Sequence, residues 1–181
     1  FDEAEGGSWM DLGEPDLAAT LKAGTSLAET RMLTPDFFWG VYNTGVAIGS
    51  IENSFAYQPV PDLPTMRGTS LYSILDTGST ALAISVYYYE ALIEELFAYA
   101  GVSDWQYSGG SVFTKCSYEL PALFFQIDSH WVEARPADYM YDFDGFNCFL
   151  QIVPATLDMN ILGMPVHLGY YVVHDQDKGT I

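Results

Sequence analysis

Glycine and proline interrupt this chain so often that its apolar segments stay short. Sixteen Gly and nine Pro are spread over 181 residues, and both residue types tend to end helices and strands. Between these breaks, apolar residues recur mostly in short runs with the period-two spacing of β-strands. The sequence therefore predicts a mainly β chain with one or two short helices, in one compact unit without a linker.

The same patterns predict where the elements lie. Single strands are expected at 8–13 (running into a turn), 71–76, 123–127, 146–152, 161–162 and 170–174. A strand pair is expected within 37–48, with its turn at Asn43-Thr44-Gly45. One or two helical turns are expected at 17–23, and an extended loop at Pro59–Pro64. One longer helix is expected at 85–100, with Ser85 as its N-cap and Gly101 as its stop.

The composition supports a folded core. Hydrophobic residues make up 49% of the chain and charged residues 17%, which excludes disorder as the overall class. A chain of this length is expected to form a single domain, here 1–181, and to bury about 70% of the surface that it exposes when unfolded.

Acidic residues dominate the charge. The chain has 24 Asp and Glu against 6 Lys and Arg, a formal net charge of −18, and this negative field repels nucleic acids and anionic membranes. No apolar run reaches the length of about 20 residues that spans a bilayer, and no basic start followed by an apolar stretch predicts a signal peptide. Because the first residue is Phe1 and not Met, we expect a processed or partial piece of a longer protein.

The chain contains two cysteines, Cys116 and Cys148. If they pair, they close a loop of about 30 residues, which stabilises the fold by about 3–4 kcal/mol through chain entropy. The alternative is two buried free thiols. Without a Cys-x-x-Cys pair or a Cys/His cluster, no metal site is expected. The histidines at 130, 167 and 174 are expected to be satisfied core or surface residues.

The most informative stretch is Tyr72-Ser73-Ile74-Leu75-Asp76-Thr77-Gly78-Ser79-Thr80. An apolar strand fixes the position of Asp76, and Gly78 lets the backbone approach its carboxylate closely. The Ser79 hydroxyl and the turn amides can then donate hydrogen bonds to that carboxylate. The alternative is an ordinary β-turn, since Asp and Gly are common turn residues.

Further motifs appear around this turn in a fixed order. They are Phe38-Trp39-Gly40-Val41, Leu120-Pro121-Ala122-Leu123-Phe124-Phe125 after the first cysteine, Asn160-Ile161-Leu162-Gly163, and Tyr170-Tyr171-Val172-Val173-His174-Asp175. With the Asp-Thr-Gly turn, the chain resembles the C-terminal lobe of a pepsin-like (family A1) aspartic endopeptidase. The resemblance implies a closed, barrel-like β lobe over nearly the whole chain, with 1–36, including 8–13, as the segment that joins two lobes.

The resemblance also implies roles for the residues of the turn. Asp76 matches the catalytic aspartate, and Thr77 matches a buried threonine that links the turns of the two lobes. Gly78 belongs to the same turn, and Ser79 matches a hydroxyl that is bonded to the aspartate. The run Ile161-Leu162-Gly163 matches the strand that packs beneath this turn. These roles rest on matched positions in the family's motifs.

Two further sets of residues follow from the matched positions. The residues expected to face the substrate groove are Phe38, Ile74 and Ile161, together with the serine of the turn. The family's lobes carry a disulfide where Cys116 and Cys148 fall, so the resemblance implies that the two cysteines pair. It implies no cofactor.

A single carboxylate is not enough for this chemistry. Two aspartates about 3 Å apart share one proton, so that one acts as a base towards water and the other as an acid towards the peptide carbonyl. The sequence holds one Asp-Thr-Gly and has no counterpart of the family's first lobe, so activity would require a partner lobe. A symmetric homodimer would also supply two aspartates, as in retroviral proteases, but those subunits are far shorter.

Two classes of function remain open. The first is half of an aspartic endopeptidase, secreted or in an acidic compartment such as a lysosome or vacuole, that cleaves an extended peptide of about 6–8 residues held between two lobes. The second is an inactive aspartic-protease-like lobe that serves as a binding or self-assembling structural module, for instance in a homo-oligomer. The missing first lobe favours the second class, and the intact turn at Asp76 favours the first.

Overall fold

The structure, a computed structural model, describes residues 12–33, 38–56 and 71–181. Short strands dominate this part of the chain. The strands are β1 (Gly40–Ile48), β2 (Ser54–Ala56), β3 (Leu71–Leu75), β4 (Leu82–Ser85), β5 (Gln106–Ser108), β6 (Ser111–Lys115), β7 (Leu123–Ile127), β8 (His130–Ala134), β9 (Met140–Asp142), β10 (Asn147–Leu150), β11 (Ile152–Ala155) and β12 (Asn160–Leu162). The helices are α1 (Leu17–Thr20), α2 (Val86–Ala100), α3 (Pro136–Tyr139) and α4 (Met164–His167), with a 3-10 turn at Ile51–Asn53. The predicted mainly β class is confirmed.

The larger of two sheets has eight strands in the order β11-β4-β12-β3-β1-β7-β8, with β2 also paired to β1. Strand β11 runs parallel to β4, and β12 runs parallel to β3. Among the described residues, β11 and β8 are the outermost strands in this order, and they do not pair with each other. The closed barrel implied by the resemblance is therefore not seen in the described pairings.

The smaller sheet has the antiparallel order β5-β6-β10-β9. Cys116 directly follows β6 and is disulfide-bonded to Cys148 in the neighbouring β10. The predicted pairing is therefore confirmed. The bond joins the two inner strands of this sheet across 32 residues of sequence.

Helix α2 packs its apolar face on the core between the sheets. Its buried side chains are Tyr89, Leu92, Ile93, Leu96 and Phe97. Gly101 ends the helix as predicted, because its φ of 67° is a left-handed conformation that glycine adopts without strain. Ser85 stands at the N-cap position, but its hydroxyl bonds to the Asp158 carboxylate (3.2 Å) instead of capping the helix.

The strand pair predicted within 37–48 is wrong. Residues 40–48 form one continuous strand, and the turn signal at Asn43-Thr44-Gly45 is a bulge in its pairing with β7. Asn43 pairs with Ile127 and Gly45 with Gln126, so one extra residue is accommodated between them. Asn and Gly are common in hairpin turns and in bulges, which explains the misreading.

The strand predicted at 170–174 is also wrong, because these residues form no strand in the structure. The run is apolar and only partly exposed, but a strand also requires a neighbour with which to pair its backbone. The predicted run at 146–152 is split into β10 and β11 at Gln151. Most of the predicted segment 8–13 and all of Pro59–Pro64 lie outside the described residues, as does much of the segment 1–36. Within the described ranges, no helix has the length and apolar character needed to cross a membrane.

Candidate active site

The arrangement of three strands creates the loop that carries Asp76. Strands β3 and β4 are consecutive in sequence, but β12 lies between them in the sheet. The loop from Asp76 to Ala81 must therefore span the width of an inserted strand. The end of β12, at Leu162 and Gly163, lies beneath this loop, so backbone from a distant part of the sequence supports it.

Asp76 itself is half-buried at the end of β3. Its backbone amide donates to the carbonyl of Leu162 (3.1 Å). Its carboxylate oxygen Oδ1 accepts a hydrogen bond from the Gly78 amide (2.9 Å). A Cβ at Gly78 would lie 3.1 Å from this oxygen, so a larger residue would crowd the carboxylate. The approach of backbone to carboxylate predicted for Gly78 is therefore present.

One detail of the predicted turn differs in the structure. The Ser79 hydroxyl donates to the carbonyl of Ala81 (3.1 Å) and not to the Asp76 carboxylate. Thr77 is exposed in this chain, and its burial, which belongs to the contact with the turn of a second lobe, stays a prediction. Both observations have a physical reason: the loop is open on its outer side, and side chains there face solvent or the loop's own backbone.

Gly163 allows the close contact between α4 and the loop. The first amide of α4, at Met164, donates to the carbonyl of Ser79 (2.8 Å). A Cβ at Gly163 would clash with the carbonyl oxygens of Ala81 and Ser79. The glycine of the Ile-Leu-Gly motif is thus required by backbone packing under the loop.

The residues expected to face a groove lie near this loop on one side of the sheet. Ile74 and Ile161 are paired in register on adjacent parallel strands, so their side chains share a face. That face is opposite to the one on which Leu75 and Leu162 enter the core. Ile74 is buried, Ile161 is half-buried, and Phe38 is 57% exposed at the end of β1 nearest the loop.

An apolar cleft of about 190 Å³ adjoins Ile161. It is lined by Ala83, Pro154, Ala155, Thr156, Leu157, Met159 and Ile161. Of these residues, only Ile161 was predicted from the sequence, because the parallel pairing of β11 with β4 that brings the others together leaves no local signal.

Two histidines behind the loop were also missed. His130 is exposed, but Nε2 of His167 and Nδ1 of His174 are buried without a hydrogen-bond partner among the described residues. The expectation that all the histidines are satisfied or ordinary is therefore wrong. Burial lowers the pKa of His167, while a hydrogen bond to the backbone of Leu162 and the charge of Asp76 act in the opposite direction.

The sulfur atoms do not form a metal site. Cys116, Cys148 and Asp142 lie close together, but the two cysteines are bonded to each other and so provide no thiolates. The grouping is explained by the disulfide and the adjacent edge of the smaller sheet.

The strand-supported Asp-Thr-Gly loop in a mainly β fold defines a pepsin-like aspartic protease type of domain. The family model for eukaryotic aspartyl protease matches residues 14–181. Since this match covers most of the chain, the chain belongs to the eukaryotic aspartyl protease family. A comparison with curated proteins finds no match.

Proposed function

We propose that the chain is the C-terminal lobe of a pepsin-like aspartic endopeptidase and supplies Asp76 as one half of the catalytic dyad. One observation carries the proposal: the Asp76 carboxylate is held by the Gly78 amide (2.9 Å) on a loop whose outer residues are exposed. A carboxylate fixed in this way can face a second carboxylate on another lobe. Thr77, exposed beside it, would become buried in the same contact.

The dyad would work as a shared acid and base. One carboxylate takes a proton from a water molecule, whose oxygen forms a bond to the peptide carbonyl carbon, and the other carboxyl gives its proton to the carbonyl oxygen. The tetrahedral intermediate then breaks its C–N bond as the nitrogen receives a proton from one carboxyl of the dyad and a hydroxyl of the intermediate returns its proton to the other carboxylate. Asp76 can take either role, because the proton is shared.

The surface beside Asp76 supports an extended peptide with apolar side chains as the substrate. Phe38 and Ile161 provide partly exposed apolar surface on this side, and the cleft next to Ile161 is lined mainly by aliphatic groups. The disulfide supports a location in an oxidising environment, which agrees with a secreted or acidic endomembrane protein.

The alternative function, an inactive binding or assembly module, draws on a different surface. Phe113, Phe149 and Tyr141 face each other across three strands of the smaller sheet, and Tyr141 is about half exposed. An aromatic row on the outside of a sheet can bind another molecule. This surface belongs to the smaller sheet, whereas the Asp76 loop follows β3 of the larger sheet.

Native mass spectrometry of the protein from its source distinguishes the two functions. The peptidase proposal predicts a second lobe, either as a separate chain or in the same polypeptide, with its own Asp-Thr-Gly or equivalent aspartate turn. A pure homopolymer in which every copy carries only the Asp76 turn would contradict the proposal and favour the assembly module.

A further inference from the structure

Two polar side chains lie in the middle of the larger sheet without a hydrogen-bond partner. Asn43 on β1 and Ser73 on β3 are fully buried, with 0% of their surface exposed. Neither the oxygen nor the nitrogen of the Asn43 amide has a partner among the described residues, and the same holds for the Ser73 hydroxyl. Turning the amide over provides no partner, because it only exchanges two atoms that both lack one.

The pairing of the strands places both side chains on the core side of the sheet. Asn43 pairs with Leu71 and Ser73 pairs with Val41, and both of these apolar residues belong to the hydrophobic core. Paired residues of an antiparallel ladder share a face, so Asn43 and Ser73 are diagonal neighbours, about 7–8 Å apart. A water molecule can bridge side chains at this separation, since two hydrogen bonds in series span about 5–6 Å.

The neighbouring strands show how polar groups on this face are satisfied elsewhere. Asn160 on β12 pairs with Ser73 and is also fully buried, but its Oδ1 accepts the backbone amide of Ser85 (2.9 Å). The Ser85 hydroxyl in turn donates to the Asp158 carboxylate (3.2 Å). The polar groups thus form a row across β1, β3, β12 and β4, which are neighbours in the sheet. Within the described part of this row, the end at Asn43 and Ser73 is where side-chain atoms lack partners.

Burying such groups without a partner is unfavourable. Each group gives up its hydrogen bonds to bulk water on folding and gains none in return. Buried water molecules in proteins typically make about three hydrogen bonds to groups of this kind, whereas cavities that stay empty are lined by apolar groups. The Asn43 amide offers donors and an acceptor, and the Ser73 hydroxyl can act as either. Together the two side chains can therefore satisfy one water molecule.

We propose that the core of this domain binds at least one long-lived water molecule between Asn43 and Ser73. The water accepts a hydrogen bond from the Asn43 amide nitrogen and donates to the Ser73 hydroxyl or to the amide oxygen. The bulge between Asn43 and Gly45 lies at the same position, where the regular ladder is interrupted. The proposal is independent of any catalytic role of Asp76, so it can fail or succeed without affecting the proposed function.

The first test measures cross-relaxation between water and the side-chain amide protons of Asn43 by NMR, in the unmodified protein. A water molecule held for longer than the protein takes to tumble gives NOESY and ROESY cross-peaks of opposite sign, whereas chemical exchange gives the same sign in both. We expect opposite signs at Asn43. The matched control is the exposed Asn53, whose side chain donates to the Ile48 carbonyl (3.4 Å) and should show no long-lived water.

The second test compares two serine variants from the same row. Ser73→Ala removes one partner of the water, so the cross-peak at Asn43 should weaken. Ser85→Ala removes a hydroxyl that already has a partner in Asp158, so it should leave the cross-peak unchanged. Equal effects of the two substitutions, or an undiminished cross-peak in Ser73→Ala, would contradict the assigned position of the water.

A crystal structure of the unmodified protein keeps the proposal testable if Ser73→Ala does not fold. We expect electron density for a water molecule at a hydrogen-bond distance of about 3 Å from both side chains. The proposal is overturned if another group of the protein bonds to Asn43 and Ser73 in that density, or if the Asn43 amide protons show no cross-relaxation with water.

Discussion

Replacing Gly163 by alanine tests whether backbone packing beneath the loop fixes Asp76. The added Cβ would clash with the carbonyl oxygens of Ala81 and Ser79. Both are backbone atoms, so the loop or α4 must move; a side chain cannot simply rotate away. The φ of Gly163 is −87°, which other residues adopt freely, so the cost is steric and not conformational.

The size of this effect follows from other cases of overpacking. Forcing extra atoms into a packed site costs about 1–3 kcal/mol, and for a chain of this length each kcal/mol lowers the melting temperature by about 2–4 °C. Gly163→Ala should therefore lower the melting temperature by about 2–12 °C. Because the displaced carbonyl belongs to the Asp76 loop, cleavage measured well below the melting temperature should fall as well.

Gly169→Ala provides the matched control. A Cβ there would lie 3.7 Å from the carbonyl oxygen of Val166 and 3.9 Å from that of Glu133, which are ordinary contacts. Circular dichroism melts and urea titrations of both variants give the comparison. If Gly163→Ala melts within about 1 °C of Gly169→Ala, the packing argument is refuted.

Three further predictions concern stability. Cys116→Ser should lower the unfolding free energy by about 3–4 kcal/mol in the oxidised protein, because the loop is no longer closed. Tyr139→Phe should cost about 1–2 kcal/mol in urea unfolding, since the buried hydroxyl donates to the Pro121 carbonyl (2.6 Å). Burial lowers the pKa of His167 and of His174 from 6.5, so the unfolded state binds more protons below about pH 6.5. The unfolding free energy measured in urea should therefore fall from its full value near pH 7 as the pH drops.

Each of these predictions has a contradicting result. Under reductant, Cys116→Ser should behave like the reduced parent protein, and an equal difference in both conditions would argue against a stabilising disulfide. Tyr141 is half-exposed, so Tyr141→Phe should change the unfolding free energy little. If Tyr139→Phe and Tyr141→Phe lower the unfolding free energy equally, the buried hydrogen bond of Tyr139 does not contribute as predicted. If the unfolding free energy of the double variant His167→Gln/His174→Phe depends on pH in the same way as that of the parent protein, groups other than these two histidines cause the pH dependence.

The sequence was most informative where local chemistry alone determines structure. Gly101 ends α2 because a left-handed residue is needed there, and the strand before Asp76 ends as predicted. The bulge at Thr44 was read as a turn, because turns and bulges use the same residues. The run at 170–174 has the apolar character of a strand, but its pairing depends on distant backbone that no local pattern encodes.

The candidate active site was predictable only where its structure depends on neighbouring residues in the sequence. Asp76 and Gly78 follow from the motif, and their hydrogen bond is local. The bond from Asp76 to Leu162 and the position of His167 depend on the insertion of β12 between two strands that are consecutive in sequence. Neither the spacing nor the composition indicates this insertion. The resemblance alone implied that the Ile161-Leu162-Gly163 strand lies beneath the turn, and it gave the histidines no role.

The central claim is that Asp76 is one half of the catalytic dyad. It is tested most directly by measuring peptide cleavage from pH 3 to pH 7 with the native protein and with its Asp76→Asn variant. The matched control is Asp128→Asn, at an exposed turn residue whose φ of 54° asparagine also tolerates. With the second lobe present, the account predicts that the parent protein and the control cleave peptide and bind a pepstatin-type inhibitor, and that Asp76→Asn does neither while remaining folded. Cleavage that persists in Asp76→Asn at the parental rate would contradict the assignment of this carboxylate to the catalytic dyad.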